Sequence, residues 1–517
     1  MRLNSLGESY MLSNLVKKRT LKKYYKILEK IEKKSVIYEK MSDNQLQDQT
    51  SKLKKRLENG ENLDSILPDA FAVVREADKR VLGLFPFSEQ IMGGLILHSG
   101  NVAEMKTGEG KTLTATMPLY LNAISGRGVM LITVNEYLAV RDAKEIGPVF
   151  EWLGLTVATG VPKENESEDD LNKKKIYNSD IIYTTNSALG FDYLFENLAE
   201  TDDDKNIREF NYVVIDEIDA VLLDMAQTPL IISGAPRVQS NLYHVANYFI
   251  RTLVLNDDYE LDEDKKHVWL TKKGIERGEK FWGINNLMFQ ENAEIFRYIM
   301  LALKAHFLYQ KNKDYVVESG EIVLLDATNG RKLTGTKLQA GIHQSIEAKE
   351  DVEITMESRA MASITYQNLF RMFHKISGMT GTGKTDAREL RDMYNVNVIV
   401  VPTHRSIQRI DDKDNIYFDL ESKIADSIAE IKSYHSAGRP VLLGSGSVTM
   451  SELYSRILLR EGILHNVLNA RNVALESQII KEAGRKGAVT VATAMAGRGT
   501  DIKISQEVNE LGGLVVI

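Results

Sequence analysis

A short segment rich in glycine and basic residues has the composition of a phosphate-binding loop. Lys106–Thr112 reads Lys-Thr-Gly-Glu-Gly-Lys-Thr. Gly108 and Gly110 let backbone N–H groups turn toward phosphate oxygens, and Lys111 can reach the β- and γ-phosphates. The Thr112 hydroxyl is a ligand for Mg²⁺, and the N-terminus of the following helix adds its positive dipole end. The segment therefore predicts a site for ATP and Mg²⁺. The predicted nucleotide contacts are Lys106, Thr107, Gly108, Glu109, Gly110, Lys111 and Thr112.

A second segment matches the standard P-loop pattern more literally. Gly378–Thr385 satisfies G-x-x-x-x-G-K-[ST] in full, whereas the first loop has Met105 where the pattern requires glycine. The flanking sequence nevertheless favours the first loop. That loop follows a predicted strand formed by Gly94–Leu97 and Val102–Ala103 and leads into an apolar helical stretch. The second loop follows a predicted helix over Tyr366–Ile376 and runs into charged residues. We assign the first loop as the ATP cradle and keep the second as the alternative.

Two adjacent carboxylates follow a short apolar segment downstream of the first loop. Tyr212–Ile215 is typical of a central strand, and Asp216 and Glu217 stand at its end. Ligands bind at the carboxyl ends of strands in open α/β sheets. Asp216 would hold Mg²⁺ through water, and Glu217 would orient and polarise the attacking water. Because a P-loop precedes the pair, this interpretation is favoured over a cluster that caps the next helix.

Two weaker signals complete the predicted site. Gln90 precedes the loop, and a glutamine amide can read the edge of adenine with one donor and one acceptor, although exposed glutamines are commonplace. Ala496–Asp501 follows the predicted strand Val489–Thr493 and contains Arg498 between two glycines. Such a loop suits contact with a phosphate or with a facing domain, and the alternative is an ordinary turn.

The elements that must position these residues alternate between strand-like and helical stretches. From Phe85 to about Pro229 the alternation is that of βαβ units and predicts a doubly wound parallel sheet. The alternation stops at residues 235–360, where helical stretches at 239–256 and 290–311 mix with short strands, so we predict an α+β insert. The predicted strands are Val129–Val134, Asp180–Thr184, Tyr212–Ile215, Val316–Val317, Ile322–Leu325, Asn397–Pro402, Pro440–Gly444, Val489–Thr493 and Leu514–Ile517.

Composition and charge limit the class of protein. Of the 517 residues, 43% are hydrophobic, which is ordinary for a globular protein. The net charge of −7 argues mildly against nucleic acid as the main partner. Cysteine is absent, which excludes disulfides, thiolate zinc sites and thiol nucleophiles. Met1–Tyr10 lacks the apolar core of a signal peptide, and no apolar run approaches 18 residues. We expect a cytoplasmic protein.

A basic stretch near the N-terminus has two interpretations. Residues 17–34 carry nine Lys or Arg against two Glu, with apolar side chains at helical spacing. The helix either packs one stripe on a neighbour and leaves its charges in solvent, or binds anionic lipid or an acidic partner. The first interpretation is favoured, because runs of charge usually form solvated faces, and the second is kept as the alternative.

Seven motifs taken together resemble one family. The chain is similar to SecA, the ATPase motor of bacterial protein secretion. The matching segments are Ala103–Thr116, Thr133–Ala139, Asn186 with Gly190–Leu194, Thr228–Gly234, Gly378–Thr382, His465–Ala470 and Met495–Ile502.

The resemblance implies two RecA-like P-loop NTPase domains in a helicase-like motor, with ATP in the cleft between them. It implies a first nucleotide-binding domain over residues 1–234 and 361–402, a preprotein cross-linking domain over 235–360, and a second nucleotide-binding domain over 403–517. By the same resemblance, Gln90 reads adenine, Asp216 and Glu217 serve the metal and the water, and Arg498 and Asp501 close the site from the second domain. The implied function is to push unfolded preproteins through a SecY-type channel.

The resemblance also implies partners and a location. They are an unfolded preprotein, a SecY-type translocon and an anionic membrane surface at the inner face of the cell membrane, with a homodimer left open and no nucleic acid expected. Three departures concern the sequence itself. Asp224–Pro229 lacks the Glu-Ala-Arg of housekeeping members, Gly383–Thr385 is unusual, and Lys106 replaces an arginine. These resemble the accessory SecA of Gram-positive cocci, which exports serine-rich glycoproteins through an accessory SecY and accessory secretion proteins.

The end of the chain predicts a truncated second domain. Leu514–Ile517 is an apolar run without a polar tail, and the family's Gln-Leu-Arg-Gly-Arg motif and helical C-terminal half do not follow it. We therefore expect the chain to bind nucleotide but to hydrolyse ATP poorly, because arginines facing the γ-phosphate would be missing.

Two other functions share parts of this pattern. A DEAD-type nucleic-acid helicase has the same motor motifs but needs basic, aromatic-bearing surfaces along both domains. The insert between the Asp-Glu strand and the Met-Thr-Gly-Thr segment suits a peptide clamp better. A soluble regulator that binds ATP without moving a substrate is the third alternative.

Overall fold

A computed structural model describes residues 22–163, 166–236, 241–262, 266–325, 332–333, 336–338, 340–356, 358–406, 408–469, 476–493 and 502–517. The chain divides into two compact units, one formed by Met1–Ile232 and Met361–Asp411, the other by Ser233–Ala360 and Asp412–Ile517. No helix in these described ranges is both long and apolar enough to cross a membrane.

Short strands are distributed along both units. In chain order they are β1 (Val102–Glu104), β2 (Val129–Thr133), β3 (Val157–Thr159), β4 (Ile181–Thr185), β5 (Tyr212–Asp216), β6 (Leu230–Pro236), β7 (Tyr259–Leu261), β8 (Val268–Leu270), β9 (Tyr315–Glu318), β10 (Glu321–Leu325), β11 (Lys332–Leu333), β12 (Ser358–Ile364), β13 (Lys375–Thr380), β14 (Val398–Val400), β15 (Val441–Ser445), β16 (Asn466–Leu468), β17 (Val489–Thr493) and β18 (Val515–Val516).

Helices connect most of these strands. They are α1 (22–38), α2 (Asp43–Glu58), α3 (Leu63–Leu82), α4 (Ser88–His98), α5 (Lys111–Ala123), α6 (Glu136–Trp152), α7 (Lys173–Tyr177), α8 (Asn186–Glu196), α9 (Leu242–Ile250), α10 (Lys272–Trp282), α11 (Ala293–Phe307), α12 (Ile342–Lys349), α13 (Tyr366–Arg371), α14 (Ala387–Tyr394), α15 (Leu420–Ser436), α16 (Val448–Arg460), α17 (Glu476–Ala483) and α18 (Gln506–Glu510).

The first unit is built on a seven-stranded parallel sheet. Its order is β14-β1-β13-β5-β2-β4-β3, and each neighbouring pair in this order is parallel. Every residue of β2, β4 and β5 is buried, as expected for strands covered by helices on both faces. The carboxyl ends of β1, β13 and β5 therefore lie side by side at one edge of the sheet, and the motif segments follow these ends.

The second unit contains antiparallel sheets in one part and a parallel sheet in the other. In its 233–360 part, β9, β10 and β11 form an antiparallel sheet, and β7 and β8 form an antiparallel pair beside α9 and α11. In its 412–517 part, β16, β17, β15 and β18 form a parallel sheet. Two of the boundaries between the units fall within β6 and β12, which pair with each other. The predicted α/β class with parallel sheets is confirmed, and the assignment of domains stays a prediction.

Two local predictions are wrong. Gly94–Leu97 belongs to the buried helix α4, and only Val102–Glu104 forms the strand before the loop. A short apolar run is compatible with a strand or with a buried helix, and α4 is buried on all sides from Gln90 to His98. The predicted helix over Tyr366–Ile376 ends at Arg371, and Ile376 lies in β13. The second P-loop-like segment, Gly378–Thr385, therefore begins within a strand.

Helix α1 buries one stripe and exposes its charges. Tyr24, Leu28 and Ile31 are buried in the core of the first unit. Its exposed lysines within the described part are Lys22, Lys23, Lys26, Lys30 and Lys33. Packing of the apolar stripe supports the first interpretation of the basic segment, and the lysine face remains open to a charged partner.

Candidate nucleotide-binding site

The loop between β1 and α5 has the backbone of a phosphate cradle. Gly108 and Gly110 have φ values of 84° and 77°, in the left-handed region that favours glycine. Gly110 is the N-cap of α5, so the first N–H groups of that helix point into the loop. A Cβ atom at Gly110 would lie 2.3 Å from Gln90 Nε2, so the position admits no side chain without displacing Gln90.

Lys111 faces the two carboxylates at the end of β5. Its Nζ donates a hydrogen bond to Glu217 Oε1 and lies 3.9 Å from Asp216 Oδ1. All three side chains are nearly buried, with exposed fractions of 13%, 9% and 9% for Lys111, Asp216 and Glu217. Strand β13 separates β1 from β5 in the sheet, yet the loop and the carboxylates meet at its carboxyl edge. The structure brings together the residues that the sequence assigns to phosphate, metal and water.

Burial and charge act in opposite directions on these groups. Burial raises the pKa of Asp216 to about 7, with Lys111 lowering it and Glu217 raising it. Burial alone would lower the pKa of Lys111, but Asp216 and Glu217 raise it above its ordinary value. Lys111 therefore stays protonated at neutral pH and compensates the carboxylates in a place with little water.

The backbone at Glu217 adopts a rare conformation. Its φ of 50° is uncommon for a residue with a side chain, and its N–H donates to Asp216 Oδ1 at 3.1 Å. Asp219 accepts a hydrogen bond from Thr382 Oγ1 at 2.5 Å. Sequence reasoning assigned no role to Asp219, because nothing in the linear order shows that β13 lies between β1 and β5.

Gln90 is held between α4 and the loop. Its Oε1 accepts from the Phe87 N–H at 2.8 Å, and its Nε2 donates to the Glu109 carbonyl at 3.0 Å. These bonds leave one N–H of the amide for a ligand. The adenine-reading role stays a prediction, and the contact with Glu109 places Gln90 at the phosphate loop itself.

The remaining loop residues contact their surroundings in different ways. Lys106 Nζ donates to the Gly381 carbonyl at 3.3 Å and lies 3.4 Å from Glu104 Oε1. Glu109 Oε2 accepts from the His404 N–H at 3.1 Å. Thr107 is exposed in the loop, and Thr112 is half-buried in the first turn of α5.

The second P-loop-like segment has a different backbone. Gly378 to Thr380 lie within β13, and Gly378, Gly381 and Gly383, all of them described, lack the left-handed conformation of the first loop. The Lys384 N–H donates to Glu104 Oε2 at 2.6 Å. These features favour the first loop as the cradle, although the predicted reason, a helix before the second segment, is wrong.

Arg498 and Asp501, predicted to face the nucleotide from the second domain, lie outside the described residues. Within the described ranges, no group of three or more His, Asp or Glu residues could hold a metal ion by itself. A magnesium ion held with a nucleotide needs fewer protein ligands, because phosphates and water supply the others. The Thr112 hydroxyl and the Asp216 carboxylate are the hard oxygen donors that Mg²⁺ prefers. Lys111 already places a positive charge 3.9 Å from Asp216 Oδ1, so the donor set fits a cation.

Comparison with known proteins supports a family assignment. The SecA DEAD-like domain matches residues 11–391, and the SecA P-loop domain matches residues 406–515. Protein translocase subunit SecA 2 of Streptococcus gordonii is 57% identical over 512 residues, which are 98% of this chain and 64% of that protein. The protein of the same name from Streptococcus sanguinis (strain SK36) is 58% identical over 497 residues, or 95% of this chain and 63% of the relative.

The chain thus spans a little less than two thirds of the length of these curated relatives. Among solved structures, S. cerevisiae Dbp5 bound to RNA and ADP BeF3 is 11% identical with a TM-score of 0.38, and the match covers 86% of each chain. A similarity of that size supports no functional inference. The SecA DEAD-like domain alone accounts for most of the chain and contains the loop, Asp216 and Glu217. The chain therefore belongs to the SecA family.

Proposed function

We propose that this chain is the nucleotide-binding part of an ATP-driven protein translocase. It would couple ATP binding and hydrolysis to the movement of unfolded preproteins through a SecY-type channel. The observation that carries the proposal is the meeting of Lys111 with Asp216 and Glu217 beside a loop whose glycines are left-handed. The names of the relatives supply the protein-moving part of the proposal.

The residues of the site divide the chemistry among them. Lys111 and the N-terminal N–H groups of α5 would hold the β- and γ-phosphates. Thr112 and Asp216 would hold Mg²⁺, which when bound neutralises charge on the phosphate oxygens. Glu217 would orient the attacking water and accept its proton. Lys111 must then exchange Glu217 for phosphate oxygens, which releases the carboxylate toward the water.

The accessory form of the translocase is the proposed setting. Identities of 57% and 58% to relatives named SecA 2 support it, together with the departures at Lys106, Asp224–Pro229 and Gly383–Thr385. The cargo would be serine-rich glycoproteins and the channel an accessory SecY with accessory secretion proteins. The protein would work in the cytoplasm at the inner face of the membrane, with the lysine face of α1 toward anionic lipid.

The insert is the proposed contact for unfolded polypeptide. Strands β7 and β8 pair with each other in the part of the chain that the structure describes, and Trp269 on β8 is 41% exposed. An extended peptide can add to a strand edge through backbone hydrogen bonds with little demand on its sequence.

Crosslinking separates the translocase from a helicase. A photo-crosslinking amino acid at Trp269 should capture an unfolded preprotein, and the same amino acid at the exposed Phe195 of the first unit serves as the matched control. A labelled oligonucleotide is offered in parallel. Capture of preprotein at Trp269 above the control supports the proposal. Capture of the oligonucleotide alone would instead assign the motor to nucleic acid.

A further inference from the structure

A polar cluster lies at the opposite edge of the sheet from the nucleotide site. Its centre is Lys375, the first residue of β13. Lys375 Nζ donates to Asn122 Oδ1 at 2.8 Å and lies 3.4 Å from His98 Nδ1. The ammonium group is also 4.7 Å from the centroid of the Tyr212 ring, within the range of a cation–π contact. One ammonium group thus contacts three other side chains in the first unit.

The members of this cluster come from the elements that form the nucleotide site. His98 ends α4, Asn122 stands near the end of α5, and Tyr212 begins β5. An α-helix rises 1.5 Å per residue, so the cluster lies about 15–20 Å from the site. The other ends of these elements lie at the nucleotide site. Gln90 lies near the start of α4 and Lys111 begins α5, while Asp216 ends β5 and Thr380 ends β13.

The hydrogen bonds of His98 show which of its ring nitrogens carries the proton. Asn122 Nδ2 is 3.1 Å from His98 Nδ1, and Lys375 Nζ approaches the same nitrogen, so Nδ1 faces two donors and must accept. His98 Nε2 then carries the proton and donates to Asp64 Oδ1 at 3.3 Å. Burial lowers the pKa of His98, which keeps the ring neutral at pH 7. A neutral ring with this tautomer accepts from Lys375 without repelling it.

We propose that Lys375 is a positioning residue of the nucleotide site, because its ammonium group ties the far ends of α4, α5 and β5 to the start of β13. The inference rests on the proposed function, since it concerns the same nucleotide site. A sheet and two buried helices transmit displacement because protein interiors are close-packed. Loss of the tie would let α5 and β5 shift independently, and the loop and the carboxylates would no longer be held in register.

The buried position of Lys375 disfavours the charged form of its side chain. Burial lowers the pKa of Lys375 to about 8, with Asp64 raising it. Between pH 8 and the ordinary value of 10.5 the folded chain binds fewer protons at Lys375 than the unfolded chain, so this residue favours unfolding most below pH 8. A lysine that served stability alone would be better replaced by an apolar side chain.

The titratable groups around Lys375 come from several neighbouring elements. In the part of the chain that the structure describes, the titratable groups that face Lys375 are Asp64 from α3, His98 from α4 and Tyr212 from β5. Lys23 of α1 acts on Asp64. Of the groups that contact Lys375, His98 is already neutral at pH 7 and Tyr212 has a raised pKa. Between pH 7 and 9 the cluster therefore changes charge at Lys375.

The test measures binding of a fluorescent ATP analogue with Mg²⁺ at pH 7 and pH 9 to the whole chain. Wild type should bind about tenfold more weakly at pH 9, with a midpoint near pH 8. Lys375→Met should bind weakly at both pH values, and Lys375→Arg, which stays charged, should lose about tenfold less affinity than wild type between pH 7 and pH 9. Lys205→Met is the matched control, because Lys205 forms an exposed ion pair with Asp202 in the same unit. Groups at the nucleotide site titrate in every variant. The effect of Lys375 is therefore the difference between variants in the change of affinity from pH 7 to pH 9.

Each outcome distinguishes the two proposals. An equal loss of affinity between pH 7 and pH 9 in Lys375→Arg and wild type would overturn the role of Lys375. This comparison stays valid even where Lys375→Met fails to fold. Tight binding by a folded Lys375→Met at pH 7 would overturn it as well. Absence of binding by wild type at pH 7 would overturn the proposed function and this inference with it. Thermal melts of all variants establish that the chains are folded.

Discussion

Lys111 pairs with both Asp216 and Glu217, and this pairing suits the proposed role of Lys111 in holding phosphate. Three nearly buried charges at the end of β5 would otherwise be expensive, since an unpaired buried charge costs several kcal/mol. Lys111 can leave Glu217 only when another anion takes its place. Under the proposed function, the side chain that holds phosphate would therefore also control whether Glu217 is free to act on water.

Replacement of Glu217 tests that division of roles. Glu217→Gln keeps the shape of the side chain but removes the charge that would accept a proton. We expect binding of ATP and Mg²⁺ within about threefold of wild type, because the Lys111–phosphate contact remains. Single-turnover hydrolysis of bound ATP should fall about 10²–10⁴-fold. The control is Glu200→Gln, an exposed carboxylate of the same unit. Equal hydrolysis in both variants would show that Glu217 is structural.

For individual residues, the sequence predicted which side chains form the site better than it predicted their hydrogen bonds. The Asp-Glu pair and the loop could be predicted because their residue types and order carry the chemistry. The bonds of Gln90 to Phe87 and Glu109 could not be, because they depend on how α4 crosses the loop. The bond between Asp219 and Thr382 likewise depends on β13 lying between β1 and β5.

The elements of the first unit are positioned by burial more than by local propensity. Gly94–Leu97 is a short apolar run that is compatible with a strand or a helix. It is helical because it lies within α4, which is buried in the core of the first unit. Residues after Arg371 become a strand because a place beside β1 and β5 buries them and pairs their backbone groups. Tertiary packing, which no local pattern reveals, decided the structure at both places.

Substitution of Gly110 tests the loop as an element. Gly110→Ala adds a Cβ atom at a φ of 77° and 2.3 Å from Gln90 Nε2. The strain costs about 1–2 kcal/mol and the clash displaces Gln90, so nucleotide affinity should fall at least about tenfold. Gly126→Ala is the matched control, with a φ of 74° and nothing within 4 Å of the added atom. Equal affinities of the two variants, measured by titration calorimetry, would refute the cradle.

The exposed lysines of α1 can be tested for binding to anionic lipid by vesicle flotation. Each lysine near an anionic surface contributes about 1 kcal/mol, and salt screens it. Wild type should float with anionic vesicles at low salt and much less at high salt. Changing Lys26, Lys30 and Lys33 together to Glu should abolish flotation, whereas the same changes at the exposed Lys272, Lys273 and Lys280 of α10 should not. Flotation that ignores both salt and these changes would exclude the lipid role.

The whole molecule combines one unit that carries the complete loop and acidic pair with a second unit of mixed sheets. The alternation of strands and helices predicted the parallel sheets, and the loss of alternation after Pro229 predicted a region of different character. Placement of that region and the 412–517 sheet in one compact unit depends on tertiary contacts such as those of Val316 and Leu325 with Val448. Those contacts leave no periodic signal in the sequence.

Nucleotide binding by the whole chain tests the central claim most directly, because two segments of this sequence resemble a P-loop and one should bind ATP. Radiolabelled ATP with Mg²⁺ is titrated against wild type, Lys111→Ala and Lys384→Ala. A charge-assisted hydrogen bond contributes about 1.5–3 kcal/mol, so Lys111→Ala should bind about 10- to 100-fold more weakly. Lys384→Ala should bind like wild type, because it is the backbone N–H of Lys384 that bonds Glu104. Equal losses in the two variants, or a loss in Lys384→Ala alone, would contradict the account.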